Sequence, residues 1–267
     1  MKQILFFDVD GTLFDNKHHK VPQSAIDTLQ ILGRHYLLGI ATGRSLHTLS
    51  EFKITEMYPW DVYVCNNGQL AYDANHKEIY RNPLKPEIVD NFLSIAKQRK
   101  EPLLLGTPYW YQFQEVNDYQ REAHDYFNLP IPQAIGDIHQ DVFMICLYGP
   151  KGFNYEAYQM EGVDLLPGKS TYCDVIAKGS GKEVGIAKVM NILHADTYVA
   201  FGDSDNDLGM LKNADYAIVL GQGSESAKQL ADYITKPVDE DGIAYAYAHC
   251  EIFDTIRRLE QKENNKE

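Results

Sequence analysis

The sequence has little of what would staple, anchor or charge it positively. Its 267 residues include four cysteines, Cys65, Cys146, Cys173 and Cys250, far apart and with no Cys-x-x-Cys pair. That argues against a disulfide framework and against structural zinc. It fits buried, reduced thiols in a cytoplasmic protein. No apolar stretch approaches the roughly 20 residues a membrane helix needs. The apolar run at 4–7 is too short for the core of a secretion signal and runs straight into Asp8. Positive charge is scarce: 25 Lys and Arg face 38 Asp and Glu, a formal net charge of −13. Nucleic acid and anionic membranes are therefore unsuitable partners. An anionic small molecule needs locally concentrated positive charge or a metal. Internal repeats and low-complexity linkers are also missing.

What is present is a soluble, globular composition, 44% hydrophobic and 24% charged. The length suits one domain or two. Short apolar runs bounded by turn residues read as buried strands of a parallel sheet. They lie at 4–7, 36–41, 61–65, 197–201 and 216–220, with helical spacing between several of them. This strand–helix alternation predicts a doubly wound, Rossmann-like α/β fold. Between residues 81 and 178 the texture changes to short strands with antiparallel signals, including the aromatic run 109–113. The expected organisation is core at 1–80, an inserted α+β domain at 81–178, and core again at 179–267. Asn67-Gly68 reads as a turn, followed by a small ribbon with arms near 69–72 and 78–80. Helices are expected near 117–127 and 154–160, and the charged tail from Gln261 as a frayed end.

Three of the buried strands end in chemically loaded turns. The first stops at Asp8-Val9-Asp10-Gly11, the second at Thr42-Gly43-Arg44, and a later one at Gly202-Asp203-Ser204-Asp205-Asn206-Asp207. In open parallel sheets, ligands bind beyond the carboxyl ends of the strands. Carboxylates gathered there are costly unless protonated or neutralised by a cation. Hard oxygen ligands of this kind suit magnesium. Lys182 opens a helix after Gly179 and Gly181, where an anion is favoured. A threonine hydroxyl and a glycine N–H at 42 and 43 complete the sketch of a phosphoryl site beside a metal.

These motifs, in this order, resemble the haloacid dehalogenase (HAD) superfamily, and the insertion resembles the C2-type cap of its Cof-like (IIB) phosphatases. The resemblance implies a Mg2+-dependent phosphatase of a small phosphorylated metabolite, a sugar phosphate being one candidate. Asp8 would be the nucleophile and Asp10 the general acid and base. Asp8, Asp203 and the backbone carbonyl of Asp10 would hold the metal. Thr42, Gly43 and Asn206 would hold the phosphoryl group, and Lys182 would screen its charge. Asp207 would orient Lys182 or a metal-bound water, and Arg44 would reach substrate or brace its loop. A cytoplasmic monomer or weak homo-oligomer is expected. The alternatives are a phosphomutase of the same superfamily and a non-catalytic phosphometabolite-binding protein.

Blander readings compete at several positions. Adjacent His18 and His19 read as polar loop surface. Asp203 to Asp207 could suggest a calcium loop, but the glycine and terminal glutamate that such a loop needs are replaced by Leu208 and Ala214. Gly221-Gln222-Gly223 reads as an ordinary turn. The aromatic run 109–113 reads as core packing, with stacking on a substrate ring as the alternative. Asp174 fits a cleft-lining residue and a surface acid equally.

Overall fold

The computed structural model describes residues 2–134 and 139–264. In chain order the strands are β1 (Gln3–Phe7), β2 (Leu37–Ala41), β3 (Val62–Cys65), β4 (Leu70–Asp73), β5 (Glu78–Arg81), β6 (Leu103–Gly106), β7 (Trp110–Phe113), β8 (Met144–Tyr148), β9 (Val163–Pro167), β10 (Tyr172–Ala177), β11 (Thr197–Gly202), β12 (Tyr216–Val219) and β13 (Tyr233–Ile234). The helices are α1 (Gln23–Leu32), α2 (Leu46–Glu51), α3 (Ile54–Met57), α4 (Pro86–Arg99), α5 (Asp118–Phe127), α6 (Lys182–Leu193), α7 (Leu208–Asn213), α8 (Glu225–Lys228), α9 (Gly242–His249) and α10 (Asp254–Asn264). Contacts gather the chain into two compact units, one of Met1–Ile40 with His194–Glu267 and one of Ala41–Leu193.

In the first unit, β1 pairs in parallel with both β11 and β2, and β12 and β13 extend the sheet in parallel beyond β11. β1 from Ile4 to Phe7 is fully buried, as a strand covered on both faces must be. Phe7 stacks on Phe201 across the β1–β11 pair at 4.5 Å between ring centres. The register sets Phe7 opposite Phe201. Asp8 and Asp203, each just beyond its strand, therefore leave the sheet at the same edge.

In the second unit, β3, β4 and β5 form an antiparallel ribbon, with arms close to those expected from the sequence. A separate five-stranded antiparallel sheet runs in the order β7-β6-β8-β10-β9. Its side chains alternate between faces, as the period of two requires. Leu103, Leu105, Ile145, Leu147, Cys173 and Val175 join Ile88, Val89, Phe92 and Ala96 of α4 in one core. Leu104, Cys146 and Tyr148 face the other way and pack with Ala123 of α5. Asp174 lies opposite Cys146 in the ladder, and Cys146 opposite Leu104. The aromatic run mostly packs: Tyr111 and Phe113 join the α4 core and Trp110 the α5 side. Tyr109 is half exposed and stands edge-on to His47 at 4.8 Å.

Two expectations need correction. The helix near 154–160 is a single 3-10 turn at Glu156–Tyr158. Positive φ at Gly152 and Tyr155 breaks the helical path, and Tyr155 and Tyr158 are drawn into the core. The tail from Gln261 begins inside α10, which continues to Asn264. That helix is held by Glu260, which accepts from Arg34 Nη1 and pairs with His35 Nε2, each at 2.8 Å.

Candidate active site

The first unit builds a carboxylate cluster. Asp8, Asp203 and Asp207 are buried, and one oxygen from each lies within 4.8 Å of the others. Among the described residues this is the group of potential metal ligands that converges, and it does not include His18 or His19. The backbone N–H of Asp8 donates to Phe201 O at 2.9 Å, which fixes the start of the turn. The turn then closes tightly, with the N–H groups of Leu13 and Phe14 both donating to Val9 O. Gly11 has φ +86, and a Cβ on it would lie 2.3 Å from Asp203 Oδ2. Glycine is therefore needed twice over, for the left-handed backbone and for the approach of the carboxylate. Asp10 stands between these residues in the sequence and is half-buried.

Asp207 differs from its two neighbours. Its Oδ2 accepts from the N–H of Asp203 at 2.9 Å and of Ser204 at 3.0 Å. It braces the loop that carries Asp203, which leaves Asp8 and Asp203 as the carboxylates best suited to a cation. Asn206 Oδ1 accepts from Ser204 Oγ at 2.7 Å in the same loop. Buried carboxylates so close repel unless a cation or a proton intervenes. An all-oxygen set of this type fits Mg2+.

Gln222 belongs to this cluster, although Gly221-Gln222-Gly223 reads as an ordinary turn. Its amide Nε2 donates to Gly11 O and lies 3.4 Å from Asp203 Oδ2, while its Oε1 accepts from Val238 N at 3.1 Å. The N–H of Ser224 donates to Asp203 O at 2.8 Å. The turn thus clamps Asp203 from behind.

The second unit builds the loop after β2 that carries Thr42, Gly43 and Arg44. Thr42 donates its N–H to Val64 O at 2.8 Å, so the loop is tied to β3. The turn after β3 then grips the loop: Asn67 N–H donates to Thr42 O at 2.9 Å and Asn66 N–H to Arg44 O at 3.1 Å. Thr42 Oγ1 accepts from Arg44 N at 3.1 Å, which leaves the hydroxyl proton for another acceptor. A Cβ on Gly43 would lie 3.3 Å from Asn67 Oδ1. Arg44 is buried, with its guanidinium 4.1 Å from the centre of the Phe52 ring, a placement suited to bracing the loop.

Lys182 is buried at the first position of α6. The preceding residues are held by the same turn: Gln69 Nε2 donates to Ser180 Oγ at 2.8 Å. A Cβ on Gly68, where φ is +89, would lie 2.0 Å from Gly181 O. Asp174 is buried, not a surface acid, and accepts from Asn67 Nδ2 at 2.8 Å. Burial pushes its carboxyl up to about 6, against hydrogen bonds from Asn67 and Cys146 and the charge of Lys182, which act to lower it. Asn67, Asp174 and Gln222 carry no motif of their own. The available signal was the run Asn66-Asn67-Gly68, all three with positive φ. Asparagine is one of the few residues that tolerates that conformation.

The parallel sheet of the first unit carries its buried acidic turns at the strand ends, where enzymes with open α/β sheets bind their ligands. The family model for haloacid dehalogenase-like hydrolases matches residues 5–247, and the chain belongs to that family. YkrA of Bacillus subtilis (strain 168) is 30% identical, covering 91% of this chain and 96% of its own. The 5-amino-6-(5-phospho-D-ribitylamino)uracil phosphatase YitU, from the same organism, is 37% identical, with 90% and 94% covered. The solved structure of BT4131, a HAD subclass IIB sugar phosphatase, superposes with TM-score 0.80 at 26% identity, covering 93% of this chain and 98% of that one. The resemblance and fold class read from the sequence are borne out. No described helix is long and apolar enough to cross a membrane.

Proposed function

We propose that this protein hydrolyses a small phosphorylated metabolite through an aspartyl-phosphate on Asp8. The enzyme class is a HAD-type phosphatase, in keeping with the family and with the named activities of YitU and BT4131. The observation that carries the reading is the buried convergence of Asp8 and Asp203, with Asp10 two residues beyond the nucleophile.

Asp8 attacks phosphorus, forming an acyl–phosphate bond as the ester P–O bond breaks. Asp10 gives its proton to the departing oxygen, then removes one from the water that attacks phosphorus and frees Asp8. Thr42 donates its hydroxyl proton and Gly43 its N–H to phosphoryl oxygens, and Lys182 offsets their charge. Asn206 supplies a further contact from the loop that Asp207 braces. Asp8, Asp203 and the carbonyl of Asp10 would hold Mg2+, which supplies positive charge to the phosphoryl oxygens when bound. The substrate class is a phosphate ester of a sugar or polyol. Four buried cysteines support a reducing, cytoplasmic setting.

The test is a phosphate-release screen over phosphometabolites, with and without Mg2+. Wild type should turn over only with the metal, and Asp8→Asn should abolish turnover. Normal turnover in Asp8→Asn would refute the covalent mechanism. Unaffected turnover in Asp10→Ala would remove the acid–base role alone.

A further inference from the structure

Asn66 is completely buried, yet neither its Oδ1 nor its Nδ2 has a hydrogen-bond partner among the described residues. Its main chain, in contrast, is fully used: its N–H donates to Arg44 O, and its carbonyl accepts from Gln69 N at 3.2 Å. The residue also sits at φ +51, a conformation that costs any residue with a Cβ. Burying an unsatisfied amide and straining a backbone are both destabilising, and such costs gather where a site needs them. Neighbouring Asn67 shows the contrast, because its amide is bonded to Asp174. Thr42 and Lys182 are as deeply buried as Asn66, so burial does not set Asn66 apart from the residues assigned to substrate.

We propose that Asn66 is a further substrate-binding residue, which reads hydroxyl groups on the carbons next to the phosphoester. The inference rests on the phosphate-loop role given to Thr42 and Gly43 above. The placement follows from the bond between Asn66 and Arg44, which puts Asn66 against the end of that loop. The chemistry follows from the amide itself. It offers donors at one end and an acceptor at the other. A phosphoryl group brings only acceptors and would leave Oδ1 unsatisfied. A hydroxyl both donates and accepts, so a polyol or sugar phosphate satisfies both ends, whereas an alkyl phosphate satisfies neither. A site built to hydrogen-bond a hydroxyl rejects the analogue that lacks it.

The experiment compares paired esters, glycerol 3-phosphate with propyl phosphate and ribitol 5-phosphate with pentyl phosphate. Wild type is compared with Asn66→Gly, which removes the orphaned amide and relieves the left-handed backbone. Asn66→Asp tolerates the same backbone but loses the donor. Binding is measured by calorimetry in an Asp8→Asn background, and kcat/KM in the active protein. We expect wild type to prefer the hydroxylated ester by roughly tenfold or more. In Asn66→Gly that preference should fall towards one while Tm rises by a few degrees. Asn66→Asp should retain part of the preference. A Tm that falls with the preference intact would show a purely structural amide, and equal weakening of both esters would make Asn66 a phosphoryl ligand. Either result overturns the proposal. The two readings fail separately: if no ester is hydrolysed the catalytic proposal falls, while the calorimetry still decides Asn66.

Discussion

Asn67 donates its side-chain amide to the carboxylate of Asp174 at 2.8 Å, and Gly43 lies against the same amide. A strand of the antiparallel sheet thus fixes the turn that grips the loop at Thr42–Arg44. This contact joins residues 107 positions apart. It also places an ionisable group where its charge is poorly solvated.

Stability should therefore depend on pH through Asp174. Its folded-state pKa is pushed up to about 6 from the ordinary 3.8. Between those values the folded protein holds a proton that the unfolded chain has released. Stability is then full below about pH 4 as far as this group is concerned, and falls as pH rises towards 6 and just beyond. The loss is on the order of 2–3 kcal/mol, at about 1.4 kcal/mol per pKa unit. Asp174→Asn keeps an oxygen for Asn67 and removes the ionisation. Urea melts from pH 4 to 8 should show a flatter profile in the variant, and higher stability than wild type at pH 8. Parallel profiles for the two proteins would show that Asp174 is not the source of the dependence.

Gly68→Ala should be among the most damaging single-methyl changes in the chain. The new Cβ would meet Gly181 O at 2.0 Å, backbone against backbone, on a residue with φ +89. Neither the turn nor the start of α6 can yield without disturbing Asn67 or Lys182. We expect a loss of about 2–4 kcal/mol, from overpacking and left-handed strain together. Gly179→Ala is the control: its φ is also positive, but nothing lies within 4 Å of the added atom. It should cost only the backbone term, about 1 kcal/mol. Equal Tm shifts in the two variants would show that the close approach to Gly181 is not tight.

The residues of the candidate site differed in how far the sequence could single them out. Asp8, Asp10, Thr42, Lys182 and Asp203 were legible because each sits where a local pattern changes, at a strand end or a helix start. The parallel order of the first unit was legible for the same reason, in its short buried runs. Asp174 and Gln222 gave no such signal. Asp174 is one acid in an apolar strand, and only the β10–β8 register shows that it lies beside Cys146. Gln222 sits in a turn whose two glycines explain its shape without any reference to Asp203. The false helix near 154–160 failed on backbone geometry, because positive φ at Gly152 and Tyr155 is not visible as a pattern of apolar residues.

The thiols should be silent in the native protein. All four cysteines are buried and unpaired with one another. Burial pushes the Cys173 thiol up to about 12 and raises Cys65 and Cys146 strongly as well. The thiolate is the reactive form, so reactivity falls with both access and ionisation. A thiol reagent such as DTNB at pH 8 should titrate none of the four within minutes, and all four in denaturant. Rapid modification of one thiol in the folded protein would identify a local opening that exposes it.

Gln222 gives the sharpest test of how the carboxylate cluster is held. Its amide joins Gly11 O to Asp203 Oδ2, and its own oxygen is tied to Val238 N. It touches one proposed metal ligand and the turn that follows the other, without being charged itself. Partners of this kind orient ligands, and their loss commonly costs 10–100-fold in metal affinity or activity. Gln222→Ala should therefore raise the Mg2+ concentration needed for half-maximal phosphate release by ~10-fold or more. Gln222→Glu keeps the length of the side chain but replaces its donor with negative charge beside Asp203. The added charge strengthens the pull on a cation while repelling the carboxylate in its absence. Its effect on metal-free stability should accordingly be larger than that of Gln222→Ala, and should shrink as Mg2+ is added. Melting temperatures at several Mg2+ concentrations measure this directly. If the two variants melt identically with and without Mg2+, then Gln222 does not support a cation site at Asp203.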